Sequence, residues 1–185
     1  IMAARGTPVV SATDAAVPSE IEERYAREPD GLSDAARAWA AETVAGTIGP
    51  YERALALQAR LRGPEFRDDL APEAGHDDHA IDAFLERRTG YCEQFAGTYA
   101  VMARALGLPA RVAVGFTWGE EEPQADGTTL FRVRGQHAHA WPEVYLAGFG
   151  WVAFEPTPGR GAPGMGAYNG VTEPAQDDGT RSPAS

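Results

Sequence analysis

Three residues far apart in the chain carry the groups from which nucleophilic attack on an acyl carbon is assembled: Cys92, His139 and Glu155. A thiol attacks as its thiolate, an imidazole moves the proton, and a carboxylate fixes the imidazole tautomer and steadies the imidazolium. Cys92 is the only cysteine. It can make no internal disulfide, so cysteine usage leaves the redox compartment open. It opens the most regular apolar pattern in the sequence. Phe95, Tyr99, Met102 and Leu106 recur at spacings of four, three and four, and Cys92 continues the stripe three residues earlier. The thiol then points toward whatever this helix packs on, where free N–H groups and the helix dipole favour a thiolate. Position alone leaves a second reading open, since a free cysteine is among the most buried residue types.

Residues 136–146 alternate as a strand does. His139, Trp141, Glu143 and Tyr145 share one face, and Ala138, Ala140, Pro142, Val144 and Leu146 share the other. The small alanines leave room for a neighbour beside the imidazole. His137 falls on the His139 face, nearer the strand end. A single strand histidine is more often structural than catalytic. Glu155 ends the apolar run Trp151-Val152-Ala153-Phe154, just before Pro156-Thr157-Pro158. A carboxylate there either accepts from an imidazole or is a solvated strand end.

Parity decides whether base and carboxylate can meet. A two- or four-residue turn between the two strands would place Glu155 opposite Pro142, on the far face from His139. A three-residue turn over 147–149 pairs Tyr145 with Trp151 and Trp141 with Glu155. Glu155 then becomes the diagonal neighbour of His139, at roughly 7–8 Å along the backbone. A bulge near Pro142, which cannot donate to the ladder, would serve equally. The constellation therefore requires an odd-length turn or one bulge.

The elements that must position these residues read as helices followed by strands. Ser33 is a suitable N-cap for a helix over 34–45. Gly49-Pro50 breaks it, and a second helix spans 51–61 until Gly63-Pro64. Residues 65–76 form a polar loop with room for a short strand. A short helix follows over 77–87, with Ile81, Phe84 and Leu85 on one face. Residues 88–90 turn the chain into the cysteine helix, 92–106, which Gly107 and Pro109 end. Strands are expected at 111–117, 130–134, 138–146 and 151–154, with the acidic segment 119–127 as a loop. This order gives the α+β class. We expect a linker or extended strap over 1–18, a folded domain over 19–160, and a flexible Gly/Pro-rich tail over 161–185.

With 185 residues, 43% hydrophobic and 23% charged, the chain suits one soluble globular domain. Its net charge, 16 − 27 = −11, argues against nucleic acid and anionic membrane as partners. No apolar run reaches the roughly 18 residues of a membrane helix, and no signal-peptide pattern is present. Because it begins at Ile1 rather than Met, the chain is expected to be part of a longer protein.

Taken together, Gly90-Tyr91-Cys92-Glu93-Gln94-Phe95-Ala96 opening a helix and Leu106-Gly107-Leu108-Pro109-Ala110-Arg111-Val112 after it form a recognisable first motif. His137-Ala138-His139-Ala140-Trp141-Pro142-Glu143-Val144 and Trp151-Val152-Ala153-Phe154-Glu155-Pro156-Thr157-Pro158 supply two more, in order. The sequence resembles the bacterial transglutaminase-like superfamily over about residues 35–159. Within it, the likeness is to the extracytoplasmic domain of membrane-anchored, TgpA-type transglutaminase-like proteins. The resemblance implies a papain-like fold, with the cysteine helix packed on an antiparallel β-sheet. It implies Cys92 as nucleophile, His139 as base and Glu155 as the acidic residue, a position where many relatives outside this branch carry Asp. It implies no cofactor, an extracytoplasmic location and membrane-flanking segments in the parent protein. The implied reaction is acyl transfer: the thiolate attacks a glutamine carboxamide of a protein or peptide, ammonia leaves, and a lysine amine or water resolves the thioester. The Cys92 backbone N–H is a candidate oxyanion donor. Tyr91, Trp118 and Trp141 are candidates to line the cleft.

Three other readings compete. His76-x-x-His79 and His137-x-His139 with Cys92 offer ligand types for a zinc hydrolase. A peptidase or amidase could use the same three residues. A non-catalytic binding or scaffold domain could retain the fold. The thiol itself discriminates among them. Iodoacetamide should modify Cys92 near neutral pH in the folded protein; a thiol that reacts only after denaturation would be a buried structural residue.

Overall fold

The computed structural model describes residues 16–69, 80–117 and 119–160. Five helices occur among these residues: α1 (Ser19–Tyr25), α2 (Asp34–Thr43), α3 (Pro50–Leu61), α4 (Ala80–Arg87) and α5 (Cys92–Ala105). Local chemistry sets their ends. Ser33 Oγ accepts from Ala36 N–H at 3.0 Å and caps α2, while donating to Asp82 on α4 at 2.6 Å. Pro50 occupies the first turn of α3, where its missing N–H costs nothing. Gly107, at φ 74°, ends α5, and Leu108 N–H returns to Ala103 O at 2.9 Å.

The cysteine helix α5 is the centre of the molecule. Phe95, Ala96, Thr98, Tyr99, Ala100, Met102 and Ala103 are all buried. Phe95 meets Phe84 of α4 edge-on at 4.9 Å, and both meet Phe66. Tyr99 stacks on Phe154 at 5.7 Å and donates to Ala54 O of α3 at 2.8 Å. Helices α2, α3 and α4 cover α5 on one side, and a sheet covers the other.

That sheet has three antiparallel strands in the order β3-β6-β7, where β3 is Ala110–Phe116, β6 is Ala138–Leu146 and β7 is Gly150–Ala153. Ala140, Pro142, Val144 and Leu146 are buried on one face of β6, as the alternation requires. On the other face Arg111 pairs with Glu143 at 2.7 Å and lies 4.0 Å over the Trp151 ring. Tyr25 of α1 meets Trp151 edge-on at 4.9 Å, closing that face. Architecture and class are those expected from the sequence: α+β, with the cysteine helix packed on an antiparallel sheet.

Several local expectations are corrected. Residues 19–25, for which no element is expected, form α1; it has no buried residue and is held by the long-range Tyr25–Trp151 contact rather than marked by local periodicity. The turn at 88–90 includes strand β2 (Thr89–Gly90), which pairs in parallel with β1 (Arg67–Asp68). The acidic segment is not all loop. Glu120–Pro123 is strand β4, paired with β5 (Thr129–Arg132) in a two-stranded hairpin apart from the main sheet. Opposite charge offsets the acidity there: Arg132 bonds Glu122 and Arg134 reaches Glu120 at 3.3 Å. Of the expected linker or strap over 1–18, residues 1–15 lie outside the described residues, as does the expected tail over 161–185.

Removing the Tyr99 hydroxyl tests the packing of α5 on α3. Tyr99→Phe removes the hydroxyl donor to Ala54 O, which keeps its place in the α3 ladder, and should cost about 0.5–1.5 kcal/mol in denaturant unfolding. A loss within error would mean that water or a shift of α3 replaces the bond.

Candidate active site

The hairpin between β6 and β7 has the odd-length turn. Leu146 pairs with Gly150, Tyr145 with Trp151, Val144 with Val152 and Glu143 with Ala153, leaving Ala147, Gly148 and Phe149 in the loop. Gly148 and Gly150 take positive φ, 81° and 82°, which side chains disfavour. The ladder runs on past β7, since Phe154 N–H donates to Pro142 O at 2.9 Å. In that register Glu155 lies across from Trp141 and diagonal to His139.

The two side chains meet there. His139 Nε2 and Glu155 Oε2 are 2.6 Å apart, with side-chain exposures of 3% and 0%. A carboxylate only accepts, so Nε2 carries the proton. The second carboxylate oxygen, Oε1, accepts from Thr157 N–H at 3.0 Å. The Glu155 main-chain N–H donates to Gln58 Oε1 of α3 at 2.8 Å. Glu155 is thus held at both oxygens and at its backbone.

With Nε2 on the carboxylate, Nδ1 is the ring nitrogen left for the thiol, and Cys92 hydrogen-bonds to the His139 ring. Cys92 is half-buried at the N-terminus of α5. The His139 bond holds its thiol pKa down; burial opposes this, and backbone bonds from Ala140 and Glu93 add to the lowering. Burial disfavours the charged form of His139, but bonds to Cys92 and Glu155 and the charges of both prevail, raising its pKa from 6.5 to about 9. Both shifts run in the direction that favours a thiolate beside an imidazolium.

The remaining expected residues fall around this centre. Trp141 stacks against the His139 ring, 6.1 Å between centroids and 24° between planes. It also lies over Gly115, where a Cβ would come within 2.9 Å of its Cη2. Tyr91 precedes the helix, half-buried; its N–H donates to Gln94 Oε1 at 3.3 Å, and burial raises its phenol pKa. Trp118 lies outside the described residues, as do His76 and His79. His137 is not on the β6 face. It ends a 3₁₀ turn, Gly135–His137, and its Nδ1 accepts from Arg134 N–H at 2.9 Å, so its ring is committed to closing that turn. Among the described residues no group of three or more His, Cys, Asp or Glu could hold a metal ion. Sequence reasoning missed Gln58, Thr157 and the Ala140 backbone. Thr157 stood inside the third motif; nothing local marks Gln58.

A family model described as the transglutaminase-like superfamily matches residues 37–156. The chain is 34% identical over 122 residues to a protein-glutamine gamma-glutamyltransferase of Pseudomonas aeruginosa, covering 66% of this chain and 18% of that protein. It is 32% identical over 141 residues to an uncharacterized protein, YebA, of Bacillus subtilis, covering 74% of this chain and 19% of that protein. It therefore spans about a fifth of the length of the curated relatives it matches. The crystal structure of the periplasmic domain of TgpA from Pseudomonas aeruginosa is similar at a TM-score of 0.66 and 33% identity, over 76% of this chain and 48% of that one.

The electrostatics can be read directly. An NMR titration should give His139 a midpoint near 9 in the folded protein. Since the thiol is one cause of the upward shift, Cys92→Ala should move the midpoint down. A wild-type midpoint near 6.5 would show that the imidazole does not hold its proton against the thiolate.

Proposed function

Since this chain belongs to the transglutaminase-like superfamily, we propose that it is a cysteine-dependent acyltransferase acting on glutamine side chains of proteins or peptides. The observation that carries this reading is the buried 2.6 Å bond from His139 to Glu155, with the Cys92 thiol bonded to the same ring. The relative named a protein-glutamine gamma-glutamyltransferase supports the substrate class.

The steps follow from the groups present. Cys92 Sγ attacks the γ-carboxamide carbon, and negative charge moves to its oxygen. The Cys92 backbone N–H, in the first turn of α5, stabilises that oxygen. As the tetrahedral centre collapses, the C–N bond breaks, the leaving nitrogen takes the His139 proton, and ammonia departs. A thioester remains and His139 is neutral. A lysine amine then attacks the thioester carbon, gives its proton to His139 and displaces the thiolate, leaving an isopeptide bond. Water in place of the amine gives glutamate. Trp141, against one side of the imidazole, restricts the ring and keeps water from it. Throughout, Glu155 keeps its charge and holds the ring. The likeness to a periplasmic domain supports an extracytoplasmic location on a membrane-anchored parent.

The decisive experiment incubates the protein with a glutamine-containing protein and a labelled primary amine. Label should enter the glutamine-containing protein, and Cys92→Ala should abolish it. Glu155→Gln should fold and lose turnover by about 100- to 10,000-fold, the range of a lost acid–base contribution. Ammonia release without label would make the activity deamidation, and backbone cleavage would make it peptidase.

A further inference from the structure

Helix α3 reaches the site with two polar side chains one turn apart, Gln58 and Arg62. Gln58 is 4% exposed and holds the Glu155 N–H at 2.8 Å. Arg62, at the C-terminal cap of α3, points its Nη1 into the segment that follows β7. That single nitrogen lies 3.1 Å from Glu155 O, 2.6 Å from Thr157 O and 2.9 Å from Arg160 O. Three carbonyls of one turn thus converge on one cation. The turn includes the Thr157 N–H that binds Glu155 Oε1. At its far end Arg160 Nε is anchored by Asp68 Oδ2 at 2.8 Å.

We propose that Arg62 is a positioning residue for the Cys92–His139–Glu155 centre, folding the 155–160 turn around its guanidinium so that the Glu155 carboxylate is aimed at His139. The inference rests on the acyltransferase reading for its purpose, though not for its geometry. Three features support it. Carbonyl oxygens of one turn repel one another unless a cation or donors lie among them. A guanidinium keeps its charge even when partly buried. Its positive charge also faces the Glu155 carboxylate, whose field opposes the effect of burial on Arg62. Without Arg62 the turn would relax toward solvent, Thr157 N–H would leave Oε1, and Oε2 would no longer be constrained toward Nε2. The imidazolium would lose its counter-charge, and the thiolate its partner.

The test reads the thiolate rather than acyl transfer. Alkylation rate against pH is measured for wild type, Arg62→Met and Arg62→Lys, with folding checked by circular dichroism. In Arg62→Met the Cys92 inflection should rise by about one pH unit, with roughly tenfold slower alkylation on the acid limb. Arg62→Lys, which restores a cation with N–H donors, should recover most of the shift. A merely structural arginine would lower the melting temperature and leave the inflection of the folded protein in place, and that result overturns the proposal. If Arg62→Met does not fold at the assay temperature, Arg62→Gln, with N–H donors but no charge, is read in the same way: a raised inflection supports the proposal and an unchanged one overturns it. Should wild type alkylate as proposed but transfer no acyl group, the acyltransferase reading fails while this test still stands.

Discussion

The 2.6 Å bond between His139 Nε2 and Glu155 Oε2 joins two ionisable groups that are both out of solvent, and the geometry of one turn decides whether it can exist. Side chains alternate with a period of two along a strand, so one residue more or less between β6 and β7 would send Glu155 to the opposite face. Three loop residues set the parity, and Gly148 and Gly150 supply the positive φ values that the short connection needs. The main-chain bond from Phe154 to Pro142 then carries the register beyond the strand, as far as the carboxylate.

A second constraint fixes the thiol. Cys92 is the first residue of a helix whose next eleven positions include seven buried side chains. A helix packed in that way cannot slide or rotate without opening the core, and cores resist small displacements. The Tyr99–Phe154 stack ties this helix to the residue before Glu155. Thiol and carboxylate are therefore positioned by one packed unit, although 63 positions separate them, 155 − 92. His139 enters from the central strand between them, with Trp141 limiting its rotation.

Much of this was legible in the sequence because the signals are local and repeated. The apolar stripe beginning at Cys92 marks both the helix and its buried face. The alternation through residues 138–146 marks β6, and the Gly-rich link to Trp151 marks a tight hairpin. What stayed hidden depends on contacts between distant segments. Helix α1 has no buried residue and gains its place through Tyr25 on Trp151. Strands β1 and β2 are two residues each and exist because they pair. Strand β4 reads as a loop because three consecutive glutamates suggest solvent, and only the facing arginines of the partner strand and its extension make them compatible with a ladder. His137 shares a spacing with His139 but falls in a turn, where its ring closes a main-chain bond. Gln58 and Arg62 look like the polar positions of an amphipathic helix; their role appears only when the 155–160 turn arrives.

Why a carboxylate can lie at zero exposure in a chain of net charge −11 follows from its neighbours. An isolated buried ion is strongly unfavourable, and it persists where its lone pairs are filled and its charge is matched. Here one oxygen takes a main-chain N–H, the other takes an imidazole N–H, and a guanidinium lies close to the main chain of the same residue. On its far side the imidazole meets the Cys92 thiol, and each favours the charged form of the other. Charge then alternates along a line: arginine, glutamate, histidine, cysteine. Each charge lies beside one of opposite sign, from the part-buried guanidinium through the buried carboxylate and imidazole to the half-buried thiol. Such an arrangement favours the ionised form of the thiol. It is also vulnerable at every link, because neutralising any one group leaves its neighbour as an uncompensated charge in the interior.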